Sequence, residues 1–206
     1  MPSVYGLKPK FQNLLRPIVG RLARAGVSAN QVTVAALLLS LATGGAIGWT
    51  RGGRSLLLLP LVLFLRMALN AIDGMLAREH NMKSALGAVL NELGDVIADA
   101  GMYLPLAVVP EFSAWMMVGI VLLGTLSEMT GVVGVQIGAS RRYEGPMGKS
   151  DRAFLIGLLS LLVGFRVPIQ RFVPYVQMLI LLLLVLTIFN RARKALQEVK
   201  ASSATR

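Results

Sequence analysis

Two carboxylates, two amides and four companions recur at fixed gaps in the run Asn70, Asp73, Gly74, Ala77, Arg78, Gly87, Asn91, Asp95. The run closes one long apolar stretch and opens the next, which places it in a membrane. Ionisable groups in lipid cost free energy and are kept where they do a job. Asn70, Asp73, Gly74 and Ala77 are spaced i, i+3, i+4, i+7 and share one helix face. Gly87, Asn91, Asp95 and Asp99 are spaced by four and share another. The connection around residues 79–83 is short, so the two helices are antiparallel neighbours whose polar faces meet near the cytoplasmic boundary. Converging oxygen ligands suit a hard cation such as magnesium, manganese or calcium. The chain has no cysteine, and its one histidine, His80, falls in the connecting turn, so zinc is not expected. Small Gly74, Ala77 and Gly87 either let the helices pack closely or leave room for a nucleotide against the backbone. Arg78 either holds phosphate oxygens or anchors the span by snorkelling.

The elements that hold these residues follow from composition. Of 206 residues, 55% are hydrophobic and only 15% charged, and the apolar surplus falls in blocks of helix-spanning length. Six blocks run roughly 29–49, 55–78, 84–109, 113–139, 151–167 and 173–192. The expected fold is all-α: a polytopic integral membrane protein of six transmembrane helices, preceded by an amphipathic interfacial helix. One membrane domain covers 1–206, with an arm over 1–26, a bundle over 27–195 and a cytoplasmic tail over 196–206. In the arm, Phe11, Leu14, Leu15, Ile18, Val19 and Leu22 recur at helical spacing among Lys8, Lys10, Arg16, Arg21 and Arg24.

The net charge of +11 belongs to topology and lipid headgroups rather than to nucleic acid. With the N-terminus cytoplasmic, 16 of the 21 Lys and Arg residues lie on the cytoplasmic side. Arg51, Arg54, Arg166 and Arg171 lie opposite, and Arg66 lies within a span. Both termini are therefore expected in the cytoplasm, with the chain in a bacterial inner membrane.

Other polar residues offer further candidates. Arg66 and Glu128 lie inside the second and fourth blocks, either paired with each other across the spans or each in a polar contact of its own. The loop 141–152 is basic; Ser150 or Asp151 can cap the fifth span. Lys149 and Arg152, nearest that span, are candidates for an anionic headgroup or acceptor phosphate, while Arg141 and Arg142 read as topology. Gly124, Gly131, Gly134 and Gly138 fall near one face of the fourth span and suggest tight helix contact or a homodimer face. Trp49 and Trp115 read as membrane-interface residues.

The fixed-gap run resembles the signature of the CDP-alcohol phosphatidyltransferases, D-x2-D-G-x2-A-R-x8-G-x3-D-x3-D. All gaps match, and six of eight positions match in identity. Val27-Ser28-Ala29-Asn30-Gln31-Val32-Thr33 also resembles the family's entry into its first span. The resemblance implies metal-dependent transfer of a phosphatidyl or related phospho-alcohol group from CDP-diacylglycerol or another CDP-alcohol to a small polar alcohol, releasing CMP. It implies Mg2+ or Mn2+, with Ca2+ as a bound surrogate, held at Asn70, Asp73, Asn91 and Asp95, with Asp99 an added candidate. Asp95 takes the catalytic role of activating the hydroxyl. Asn30, Thr33, Asp73, Gly74, Ala77, Arg78 and Gly87 shape the CDP pocket, and basic residues before the fifth span meet the acceptor.

Two signature aspartates are asparagine here, Asn70 and Asn91. An amide carbonyl ligates magnesium or calcium without bringing charge, so metal should bind more weakly. That departure keeps a second reading open, a lipid- or nucleotide-lipid-binding membrane scaffold. A transporter with intramembrane acids is a third.

Overall fold

The computed structural model describes residues 7–204, with side chains from Lys10 to Ser202. The start of the arm and the last two residues of the tail lie outside the described residues. Among those described there are seven α-helices and no strand. They are α1 (Leu7–Arg24), α2 (Ala29–Thr50), α3 (Leu58–Glu79), α4 (Ala85–Tyr103), α5 (Ala114–Gln136), α6 (Lys149–Gly164) and α7 (Val173–Ala204). Short 3-10 turns at Gly53–Leu57 and Leu104–Val108 lead into α3 and follow α4. Pro105 lacks the N–H that would continue α4 as α-helix, and the chain tightens there instead.

Each of the six apolar blocks holds one helix. Four segments are long and apolar enough to cross a membrane: Ala29–Thr50, Gly53–Glu79, Ala114–Gln136 and Val173–Ser202. α4 carries Glu92, Asp95 and Asp99 within its 19 residues. α6 has only 16 residues, about 24 Å of rise against a hydrocarbon core of about 30 Å. The segment 196–206, expected as a tail, is helical through Ala204, because its Ala, Leu, Gln, Glu and Lys residues favour helix without being apolar.

The chain divides into two compact units. The first comprises residues up to Thr43 with Leu61–Asp99. Its core joins Leu15 and Val19 of α1, Ala29 and Val32 of α2, and Ile72, Met75 and Leu76 of α3. The apolar set of α1 is thereby split. Leu15 and Val19 are buried, with Phe11 and Leu22 packed against them, while Leu14 and Ile18 stay exposed. Arg16 pairs with Glu79 at 3.1 Å and ties α1 to the end of α3. Both partners are solvent-exposed, so water screens the pair and it adds little to stability.

The second unit comprises Gly44–Pro60 with Ala100–Arg206. Gly44 lies against the Gly101 backbone; a Cβ there would come within 2.8 Å of the Gly101 carbonyl carbon, so only glycine permits this crossing. α5 packs along α7 and against the turn Leu104–Val108. Three glycines of the α5 row face this unit's own interior: Gly124 meets Arg152, Gly131 meets Arg141, and Gly134 meets Ala195. Gly138 lies beyond the helix end at φ +92°. Gly124, Gly131 and Gly134 therefore serve packing within this unit. Trp49 and Trp115 are almost fully exposed.

Candidate metal and nucleotide-lipid site

The first unit holds nearly all of the sequence-predicted site. α2 starts at a reciprocal cap: Gln31 N donates to Ser28 Oγ, and Ser28 N donates to Gln31 Oε1 at 2.8 Å. This Ser-x-x-Gln pattern is legible in sequence and fixes the turn that carries Asn30 and Thr33. Thr33 Oγ1 lies 2.8 Å from Asp73 Oδ2 and 3.1 Å from Ala29 O. Asp73 is buried on α3, so the Thr33 hydroxyl helps satisfy a carboxylate that burial would otherwise penalise.

α4 starts at Ser84, whose Oγ accepts the Gly87 N–H at 2.9 Å. Gly87 lies against Asn30: a Cβ there would stand 2.7 Å from Asn30 Oδ1. On α3, the Arg78 guanidinium folds back over Gly74, 3.3 Å from where a Cβ would be. Ala77 is half-buried and Asn91 is exposed.

The deeper end of the site is built around Arg66, only 4% exposed. Its Nη1 donates to Asp99 Oδ1 at 2.5 Å. Its Nη2 donates to Asp95 Oδ1 at 3.2 Å and to the Asp95 backbone carbonyl at 3.0 Å. Asn70 Nδ2 donates to the same Asp95 Oδ1 at 3.2 Å. The structure thus brings together Asn70, Asp95 and Asp99, and separately Thr33 with Asp73 and Asn30 with Gly87. Among the described residues, no three acidic or histidine side chains form a ready cage for a metal. The carboxylates of Asp73, Asp95 and Asp99 and the amide oxygens of Asn70 and Asn91 are nevertheless hard oxygen ligands of the kind that suits magnesium or manganese.

The second unit gathers the basic loop. Glu128 on α5 receives Arg141 at 3.5 Å, Arg152 at 3.5 Å and Arg191 at 3.4 Å. Arg66 and Glu128 therefore each have partners of their own. Arg152 is buried and also reaches Ser127 Oγ, while Lys149 opens α6. Asp151 accepts the Gly148 N–H at 2.9 Å and starts that helix. Arg191 also donates to the carbonyls of Ser127, Tyr143 and Glu144, and so holds the loop. Arg142 pairs with Glu144 and Glu198. Burial pushes the Glu144 carboxyl up, but backbone N–H groups and Arg142 together hold it below its ordinary value. Arg141, read in sequence as topology, also stacks over Tyr143 and binds Glu128.

The sequence matches the family model described as CDP-alcohol phosphatidyltransferase over residues 26–200. The chain belongs to this family. A CDP-alcohol phosphatidyltransferase is an enzyme of phospholipid synthesis, and the apolar helices make this member an integral membrane protein. Inner membrane protein YnbA of Escherichia coli (strain K12) is 44% identical over 194 residues, covering 94% of this chain and 96% of that one. An uncharacterized protein of Aquifex aeolicus (strain VF5) is 35% identical over 94 residues, 46% of each chain. Among solved structures, Mycobacterium tuberculosis phosphatidylinositol phosphate synthase (PgsA1) with manganese and citrate superposes at TM-score 0.75. That pair is 19% identical and covers 87% of each chain. The same synthase with CDP-DAG bound gives TM-score 0.70 at 19% identity, over 89% of this chain and 92% of that one. At such identity the likeness speaks for the fold.

Proposed function

We propose that this CDP-alcohol phosphatidyltransferase moves a phosphatidyl or related phospho-alcohol group from CDP-diacylglycerol or another CDP-alcohol to a small polar alcohol. The observation that carries the reading is the signature run on α3 and α4, with Asp73 held by Thr33 and Asp95 held by Asn70 and Arg66. Asn70, Asp73 and Asn91 would hold a divalent cation, Mg2+ or Mn2+, and Asp95 and Asp99 border it. When bound, that cation polarises the pyrophosphate and stabilises the departing phosphate charge. Asn30, Thr33, Gly74, Ala77, Arg78 and Gly87 shape the nucleotide pocket.

The acceptor oxygen attacks the phosphorus that bears the lipid alcohol. The new P–O bond forms as the bond to CMP breaks, and Asp95 takes the hydroxyl proton. Arg66 and Asn70 fix the Asp95 carboxylate for that step. Lys149, with Arg152 and the arginines around Glu128, serves an anionic acceptor or headgroup. One carboxylate against three guanidiniums leaves that centre positive.

The whole chain acts as one membrane domain of six spans, with α1 in the headgroup layer through Leu14 and Ile18 and both termini cytoplasmic. The test is purified protein with CDP-diacylglycerol, magnesium or manganese and a panel of alcohols, followed by mass analysis of the lipid product. CMP release with one alcohol supports the transferase. Binding of CDP-diacylglycerol with no CMP release from any acceptor supports the scaffold reading, which Asn70 and Asn91 favour.

A further inference from the structure

We propose that Arg66 is a resident cation of the α3–α4 site and limits it to one divalent metal ion, bound at the Asp73 side. The proposal rests on the transferase site just described and adds to it a residue outside the signature.

A guanidinium this deeply buried has to be matched by acceptors. Arg66 finds three of them on α4: the carboxylates of Asp95 and Asp99, one turn apart, and the Asp95 carbonyl. The planar fork of arginine serves both acids at once, one through each terminal nitrogen. Asn70, one turn along α3, donates its amide N–H to the same Asp95 oxygen. A carboxylate at position 70 has no proton to give and would set like charges face to face. The asparagine and the arginine thus form a matched pair of donors on Asp95, where a metal site would present acceptors. With Asp95 and Asp99 both matched by the Arg66 guanidinium, the other carboxylate of the signature run is Asp73 on α3.

The proposal is tested by titrating the purified protein in detergent micelles with MnCl2 and counting bound ions by loss of the free Mn2+ signal in electron paramagnetic resonance. The native protein is expected to bind one Mn2+ per chain, Arg66→Lys one, and Arg66→Gln two, with spin coupling between them. Two ions in the native protein overturn the proposal, as does none, or one ion in a folded Arg66→Gln protein. If Arg66→Gln does not fold, one ion in both the native and Arg66→Lys proteins upholds it, and two in either overturns it. CMP release is scored separately. A native protein that releases CMP while binding two ions retains the transferase reading and loses this one.

Discussion

Replacing Gly87 by alanine separates the pocket from the fold. The new methyl would lie 2.7 Å from Asn30 Oδ1 and 3.0 Å from Ser84 Oγ. Ordinary contact begins at 3.4 Å, so Asn30 has to retreat by about 0.7 Å. The helix gains up to about 1 kcal/mol in propensity from Gly→Ala and loses a similar amount to the tight contact. Net stability should therefore change by less than about 1 kcal/mol. If Asn30 gives the nucleotide one hydrogen bond, its displacement costs about 1.4 kcal/mol, a tenfold loss of CDP-diacylglycerol affinity. The assay is a CDP-diacylglycerol binding isotherm in micelles beside thermal unfolding of the same samples. Because the methyl acts through Asn30, Asn30→Ala should lose about as much, and the double variant should lose no more than either alone. Unchanged affinity in Gly87→Ala, or additive losses in the double variant, would refute the reasoning.

Asp95→Asn is expected to fold and to bind CDP-diacylglycerol while losing CMP release; full turnover would remove Asp95 from the mechanism. Asn70→Asp combined with Asn91→Asp should lower the metal concentration needed for half-maximal CDP-diacylglycerol binding, since each added charge attracts the cation at short range. An unchanged metal titration in the folded variant would place both asparagines outside the metal site. Single cysteines at Ser203 and at Ser3, which lies outside the described residues, should resist an impermeant thiol reagent in intact cells; labelling before lysis at either would overturn the cytoplasmic termini. Glu128→Gln should cost about 3–5 kcal/mol, read as lowered thermal stability in detergent, because it removes the carboxylate that the buried Arg152 and Arg191 share. A native melting curve would show that the other hydrogen bonds of the two arginines suffice.

The helices were legible because apolar length is a one-dimensional signal. The blocks at 29–49 and 113–139 meet Ala29–Thr50 and Ala114–Gln136 within three residues at every boundary. The misjudged ends are those where hydropathy and helix propensity part. α7 runs past Phe189 through Arg191, Ala195 and Leu196 to Ala204, because charged residues of good helical propensity extend a helix after its apolar block stops. The block 84–109 hides the change to a 3-10 turn at Leu104, since Pro105 alters hydrogen bonding and not apolarity.

Charge partners were harder to read, because a sequence gives the sign of a residue and not its neighbour. Arg66 and Glu128 were expected as a pair or as separate contacts, and nothing in their spacing decides between the two. What decides is face and register. Arg66 and Asn70 stand one turn apart on α3, Asp95 and Asp99 one turn apart on α4, and those faces meet within one compact unit. The i, i+4 spacing of the signature thus extends one turn further on each helix, to Arg66 on α3 and Asp99 on α4. The arginines on Glu128 carry no such local trace, for Arg141, Arg152 and Arg191 come from a loop, α6 and α7. The signature site is therefore readable from short-range spacing. The basic centre depends on contacts between residues up to 64 positions apart, and only the fold supplies those.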